Sequence, residues 1–173
     1  MAKSKLNLQA YQQDILARLK SLAEGGRSAS LSKLGVSSGP VNWLVSLNEI
    51  SEVLPVPEIM RVPLTQSWFL GMANVRGNLY ALTDLAAFSG HSKTNITAES
   101  RVLLVHSRFG INSGLLIDRL IGLRNLDEMQ QEDDSKDTPV WQLRRYKEAG
   151  GQRWDELDIG VLLSQNRFMQ VAA

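Results

Sequence analysis

Cysteine is absent from the 173-residue chain, and histidine occurs only twice, at His91 and His106. Without thiols there is no disulfide framework, no thiolate zinc site, no cysteine-ligated iron–sulfur cluster and no cysteine nucleophile. Two histidines make no metal site without carboxylate help and leave an acid–base enzyme few candidates. Long hydrophobic runs are missing too. The longest, such as Val102–Val105 and Leu85–Phe88, span about four residues, far short of a membrane-spanning helix. Nor does one sign of charge dominate: 19 Lys and Arg stand against 18 Asp and Glu, a formal +1, so neither nucleic acid nor a membrane surface is strongly attracted. The opening residues, Met1-Ala-Lys-Ser-Lys5, lack the apolar stretch of a signal peptide, which leaves the Asn95-Ile-Thr97 sequon without a secretory setting. A soluble, cytoplasmic chain with no direct membrane insertion is expected.

Phosphate-cradling loops of the G-x-x-x-x-G-K-[ST] and G-x-G-x-x-G types are also missing. Gly110-Ile-Asn-Ser113-Gly114 misses the G-x-S-x-G spacing of a nucleophile elbow. The two histidines are not in zinc-binding spacing, and carboxylates three apart, as at Glu49/Glu52 and Asp155/Asp158, are common by chance. No catalytic constellation, cofactor site or metal site assembles, so the expectation is a protein that is not an enzyme.

What the chain does have is globular composition, 43% hydrophobic and 21% charged, with length for one large domain or two small ones. Leu8, Tyr11, Ile15, Leu19 and Leu22 follow one another by three or four residues, which predicts an amphipathic helix over 8–24 stopped by Gly25-Gly26. Its stripe has to pack on the body or on a partner. A Gly-, Ser- and Lys-containing stretch then runs to Pro40 as a loop or flexible connection. Short strands are expected at Val41–Leu47, Leu79–Leu85, Val102–His106, Ile111–Ile117, Gln152–Leu157 and Phe168–Val171. Thr138 as N-cap and Pro139 at the first helical position predict a second helix over Pro139–Glu148. Asp127–Asp137, with six acids and one lysine, reads as a solvated loop, since it lacks calcium-loop spacing.

A faint internal repeat organises these pieces. Seven, eight and eleven residues after Gly77 come Asp84, Leu85 and Phe88; the same steps after Gly151 give Asp158, Ile159 and Leu162. Leu47–Val53 parallels Ile117–Leu123 at an offset of 70. Two similar β-units are expected, over about 40–95 and 100–171, unless so few matches are chance.

Two segments invite a binding role. Trp141-Gln-Leu-Arg-Arg-Tyr146-Lys, with Arg153-Trp154, interleaves bases and aromatics as a nucleic-acid stacking surface does; a helix packing its aromatics inward accounts for it equally well. Gly71-Met-Ala-Asn74-Val75-Arg76-Gly77-Asn-Leu-Tyr-Ala-Leu-Thr-Asp84-Leu85 is a glycine-flanked turn leading into a strand, with one arginine at the turn. It is either a structural hairpin or a rigid platform for an interface arginine.

This last stretch, with Ile50-Ser-Glu52-Val53, Arg61-Val62-Pro63, Arg101–Val105, Gly114–Asp118 and Leu120–Leu123, resembles the CheW-like domain of bacterial chemotaxis-type signalling. The resemblance covers about Pro40 to Val171. It departs at Ala81, where a proline is usual, at Thr83, and over Trp141–Gly151. The N-terminal segment and the ending resemble the PilI-type branch, which serves type IV pili and twitching motility. The resemblance implies a mainly β fold: two five-stranded SH3-like barrels packed together, here with an N-terminal helix and a short helix in the C-terminal half, residues 1–39 forming helix and linker and 40–171 the domain. It further implies a non-catalytic adaptor that couples the cytoplasmic tip of a chemoreceptor to the regulatory domain of a histidine kinase, recruited to membrane receptor arrays through those partners. The expected partner-binding residues are Ile50, Glu52, Val53, Asn74, Val75, Arg76 and Gly77. The competing expectation is a β-barrel module for a small molecule or nucleic acid.

Overall fold

In the computed structural model the described residues are Ala17, 32–133 and 137–173. The helix expected over 8–24 therefore lies outside them, Ala17 excepted. The body is mainly β and holds two sheets. Its strands are β1 (Ser32–Ser38), β2 (Val41–Ser46), β3 (Ile50–Pro55), β4 (Phe69–Val75), β5 (Asn78–Asp84), β6 (Arg101–Val105), β7 (Ser113–Ile117), β8 (Arg119–Asn125), β9 (Met129–Glu132), β10 (Gln142–Glu148) and β11 (Arg153–Leu157). Three short helices join them: α1 (Leu85–Phe88), α2 (Ile159–Ser164) and α3 (Asn166–Met169).

The first sheet runs β3-β6-β7-β5-β4 and the second β8-β1-β2-β11-β10-β9. They do not follow the chain as consecutive halves split near 95–100. Instead each half lends a hairpin: β1–β2 joins the C-terminal strands, while β6–β7 joins β3, β4 and β5. The chain-order repeat is nonetheless visible in the geometry. Gly77 and Gly151 both turn a hairpin at positive φ, +86° and +87°. Seven residues on, Asp84 and Asp158 cap α1 and α2 by accepting from the Ala87 and Val161 amides.

Side-chain alternation sorts the apolar residues into three layers. The largest lies between the sheets and draws Leu34, Val36, Trp43 and Val45 from one, Ile50, Val53, Leu103, Val105, Leu115 and Ile117 from the other. Among the described residues, the first barrel encloses Ala73, Leu82, Val102, Leu104 and Leu116, and the second encloses Leu44, Tyr146 and Trp154. Trp68, Phe88, Trp141 and Phe168 form an aromatic knot beside the central layer, with Trp68 stacked on Phe168 at 6.1 Å between ring centres.

Five expected strands are present within two residues of their bounds. Four readings change. Residues 32–38, expected as linker, are a central strand: Leu34 and Val36 are fully buried, and Gly35 lies under the Trp154 ring, where a Cβ would come within 2.9 Å. Glycine and serine there serve close packing rather than flexibility. Pro139–Glu148 is not a helix but leads into β10. Its backbone pairs with β9 on one side and β11 on the other, with Tyr146 opposite Trp154 and Arg145 opposite Asp155. Tertiary pairing overrides the local cap signal. Within Asp127–Asp137, Asp127 and Glu128 belong to a 3-10 turn and Met129–Glu132 form edge strand β9, so among the described residues the second sheet has six strands rather than five. Finally, Phe168 sits in α3, because its ring fills the aromatic knot. The residues after it run back along 64–66, with the Gln66 amide donating to the Val171 carbonyl and the Ala173 amide to that of Leu64.

Candidate partner-binding site

The glycine-flanked motif folds as the β4–β5 hairpin, and each of its special residues has a job. Gly71, at φ +130°, lets the chain at Met60 lie against β4; a Cβ there would stand 2.2 Å from the Met60 carbonyl oxygen. Met60 and Met72 exchange both backbone hydrogen bonds across that contact. The hairpin loop is only Arg76-Gly77, both at positive φ (+52° and +86°), which is the type I′ geometry that matches strand twist. Asn74 secures it by accepting the Gly77 amide at 2.8 Å. Asp84 accepts from the amide and hydroxyl of Thr94 besides capping α1.

Arginine in a left-handed conformation costs about 1–2 kcal/mol relative to glycine. What holds it is Glu52. Arg76 Nη1 and Nη2 donate to Glu52 Oε2 and Oε1 at 2.7 and 2.5 Å, a bidentate fork. The hydrogen bond to Glu52 raises the guanidinium's pKa further, although an arginine is charged in any case. Glu52 comes from β3, one edge of the first sheet, while Arg76 follows β4, the other edge; the ion pair closes the seam between them. The Arg76 side chain stays 56% exposed and Glu52 only 13%.

Beside the pair runs an open groove of about 260 Å³ lined by Leu54, Pro55, Val56, Pro57, Asn74, Val75 and Arg76. Exposed Leu79 lies on the same hairpin, opposite Asn74. The arrangement offers an apolar floor with an oriented cationic rim. That suits recognition of a protein surface bearing acceptor groups; it holds no nucleophile or general base.

Of the seven residues expected to bind partners, five gather here: Glu52, Asn74, Val75, Arg76 and Gly77. Ile50 and Val53 are buried in the central layer and offer a partner no surface; they hold β3 beneath Glu52. Leu54–Pro57 and Leu79 went unnoticed in the sequence. Two prolines in four residues, at the end of a sheet edge, were the available hint, since a proline-bounded edge leaves apolar side chains unpaired. The aromatic–basic segment is not a stacking platform: Trp154 and Tyr146 are buried, and Arg145 and Arg153 pair with Asp155 and Glu132. His106 accepts the Arg108 amide through Nδ1, a local turn contact, and His91 is exposed in a loop.

The sequence pattern of the CheW-like domain matches residues 34–166. This chain belongs to the CheW-like family. That family comprises non-catalytic scaffold proteins of chemotaxis-type signalling. The chain is 31% identical over 96 residues to Protein PilI of Pseudomonas aeruginosa, covering 56% of this chain and 53% of that one. It is 28% identical over 111 residues to the chemotaxis protein CheW of Helicobacter pylori, covering 62% and 67%. The match thus spans about half the length of the first relative. Among solved structures, the scaffolding protein TtCheW from Thermoanaerobacter tengcongensis superposes with a TM-score of 0.66 at 17% identity, over 79% of this chain and 94% of that one. The shared architecture is two SH3-like barrels. No helix among the described residues is long and apolar enough to cross a membrane.

Proposed function

We propose that this chain couples a methyl-accepting chemoreceptor to a histidine kinase by binding both, on the cytoplasmic side, in a chemotaxis-like pathway that controls type IV pili and twitching motility. Membership of the CheW-like family supports the adaptor role, and the likeness to PilI supports the pilus branch. The observation that carries the contact surface is Arg76: a strained, exposed arginine, fixed by a two-point bond to Glu52 and standing at the rim of an apolar groove. Strain at an exposed residue persists when the surroundings hold it for a purpose. The guanidinium has five N–H donors and two are engaged by Glu52, so part of the fork faces outward to meet carboxylates or carbonyls of a partner.

The test is assembly from purified parts. The receptor's cytoplasmic tip, the kinase regulatory domain and this chain, sedimented together, are expected to form a ternary complex that the first two do not form alone. Failure of this chain to bind either component, or bridging that is the same without it, would refute the adaptor reading.

A further inference from the structure

The two barrels repeat one frame, and strand pairing gives the counterpart of each residue. Gly77 answers to Gly151 and Asp84 to Asp158, so Tyr80 of β5 answers to Trp154 of β11. Tyr80 stands opposite Ala73 and Trp154 opposite Tyr146. Ala73, Asn74 and Val75 of β4 are therefore the counterparts of Tyr146, Lys147 and Glu148 of β10. In the same frame Glu156 and Lys33 answer to Leu82 and Val102. There the second barrel holds an ion pair of 3.0 Å where the first packs aliphatic side chains.

The outer edges of β4 and β10 are finished differently. In the second barrel β9 lies along that edge, with Met129 opposite Glu148, Gln130 opposite Lys147 and Gln131 opposite Tyr146. Met129 also packs on the interior formed by Leu44, Tyr146 and Trp154. In the first barrel the chain meets the β4 edge at an isolated bridge, where Met60 and Met72 exchange both backbone bonds. A strand turns alternate residues to the same side, so Asn74 aims its N–H and C=O as Met72 does. Among the described residues neither group has a backbone partner, and Glu58, which the register would set opposite Asn74, leaves the place open. What stands there is the groove of about 260 Å³, with Leu54–Pro57 as its far wall. Leu54, Val56 and Val75 are half-buried and pack on the first barrel's interior, so the floor is apolar.

We infer that the partner read by Arg76 adds an extended segment to β4 in this groove, antiparallel to it, completing the first barrel as β9 completes the second. This rests on the adaptor reading above and names how the partner is held. The chemistry of the segment follows from β9. An apolar side chain takes the place of Met129, opposite Val75, and lies on Leu54 and Val56. The residue before it falls beside Arg76, where β9 is preceded by Glu128. A carboxylate there meets the outward part of the guanidinium fork. Main-chain hydrogen bonds to Asn74 supply affinity, and the acid–apolar pair supplies selectivity.

Amide hydrogen exchange of the isotope-labelled full-length chain reads this residue by residue. It is measured on the chain alone, with the kinase regulatory domain and with the receptor's cytoplasmic tip, each partner at saturation. In the chain alone the Asn74 amide should exchange freely, while those of Ala73 and Val75, turned towards β5, are slow. In one of the two complexes Asn74 should slow at least about tenfold. Asn74→Pro, which lacks the N–H, should weaken that complex at least about tenfold more than Asn74→Ala, since both lose the side chain that secures the turn. Asn74 exchange unchanged in every complex formed, or equal losses in the two variants, would overturn the inference and leave the adaptor reading standing. Binding to neither partner would overturn both. Protection of Asn74 already present in the chain alone would also overturn it, and protection that grew with concentration would put a second copy in the groove.

Discussion

Arg76 and Glu52 come from opposite edges of one sheet and close it with two parallel hydrogen bonds of 2.5 and 2.7 Å. Arg76 is thus part of the barrel's seam and also an exposed cation, its side chain 56% accessible. The two roles are separable by experiment, because the residues that shape the turn differ from the one that faces outward.

The shaping glycines should fail in a fixed order. Gly77→Ala meets no neighbour, so only its left-handed backbone is strained, and a loss of about 1–2 kcal/mol is expected. Gly71→Ala adds a clash with the Met60 carbonyl to its positive φ and should lower the melting temperature further. Calorimetry that ranked the two in the opposite order would show that Met60 is not held against β4 as described.

Glu49 predicts a pH signature. Its carboxyl is pushed above the usual 4.5 by burial first and by the nearby Asp158 carboxylate second, against which the Gly160 and Ile159 amides pull it down. A raised acid pKa means that the folded state binds the proton more tightly, so this group's contribution falls as pH rises from 4.5 through the folded value. Glu49→Gln, which stays neutral, should gain melting temperature relative to the native chain as pH goes from about 4 to about 7. A relative loss over that interval would mean that the two helix-end amides dominate instead.

The ion pair in the second barrel should behave as a buried one. With 14% and 8% exposure, Lys33 and Glu156 each leave an uncompensated charge when the other is removed, so Lys33→Met alone should cost about 3 kcal/mol. Installing the first barrel's residues, Lys33→Val with Glu156→Leu, should recover most of that loss. Chemical denaturation of the two variants checks it, and a double variant worse than the single would show that the barrels are not equivalent at this position.

Much of this fold was legible in the sequence. Gly77 with Asp84 and Gly151 with Asp158 marked the two hairpin-to-helix units correctly, because both steps are enforced by local backbone chemistry. The hairpin exchange between halves was not legible: Leu34 and Val36 look the same whichever sheet they join. Residues Pro139–Glu148 misled because a proline after threonine is a real cap signal that pairing on two edges then outweighs. At the site, Arg76, Gly77 and Asn74 were readable as turn chemistry. That Ile50 and Val53 both point inward while Glu52 reaches the seam breaks simple alternation: it rests on the irregularity in β3 between Ile50 and Glu52, which no residue type in the sequence marks.

The central claim is that Arg76 is a contact residue whose side chain the partner reads, and Arg76→Gln tests it most directly. Affinity for the kinase regulatory domain and for the receptor tip is measured beside the melting temperature on the same preparation. An exposed ion pair is worth about 0.2–1 kcal/mol, so melting should shift by only a few degrees. Affinity for at least one partner should drop about thirtyfold, the roughly 2 kcal/mol of an arginine hot spot. Unchanged affinity for both, or a melting loss large enough to account for the weakened binding, would contradict the account and leave Arg76 as a structural clasp alone.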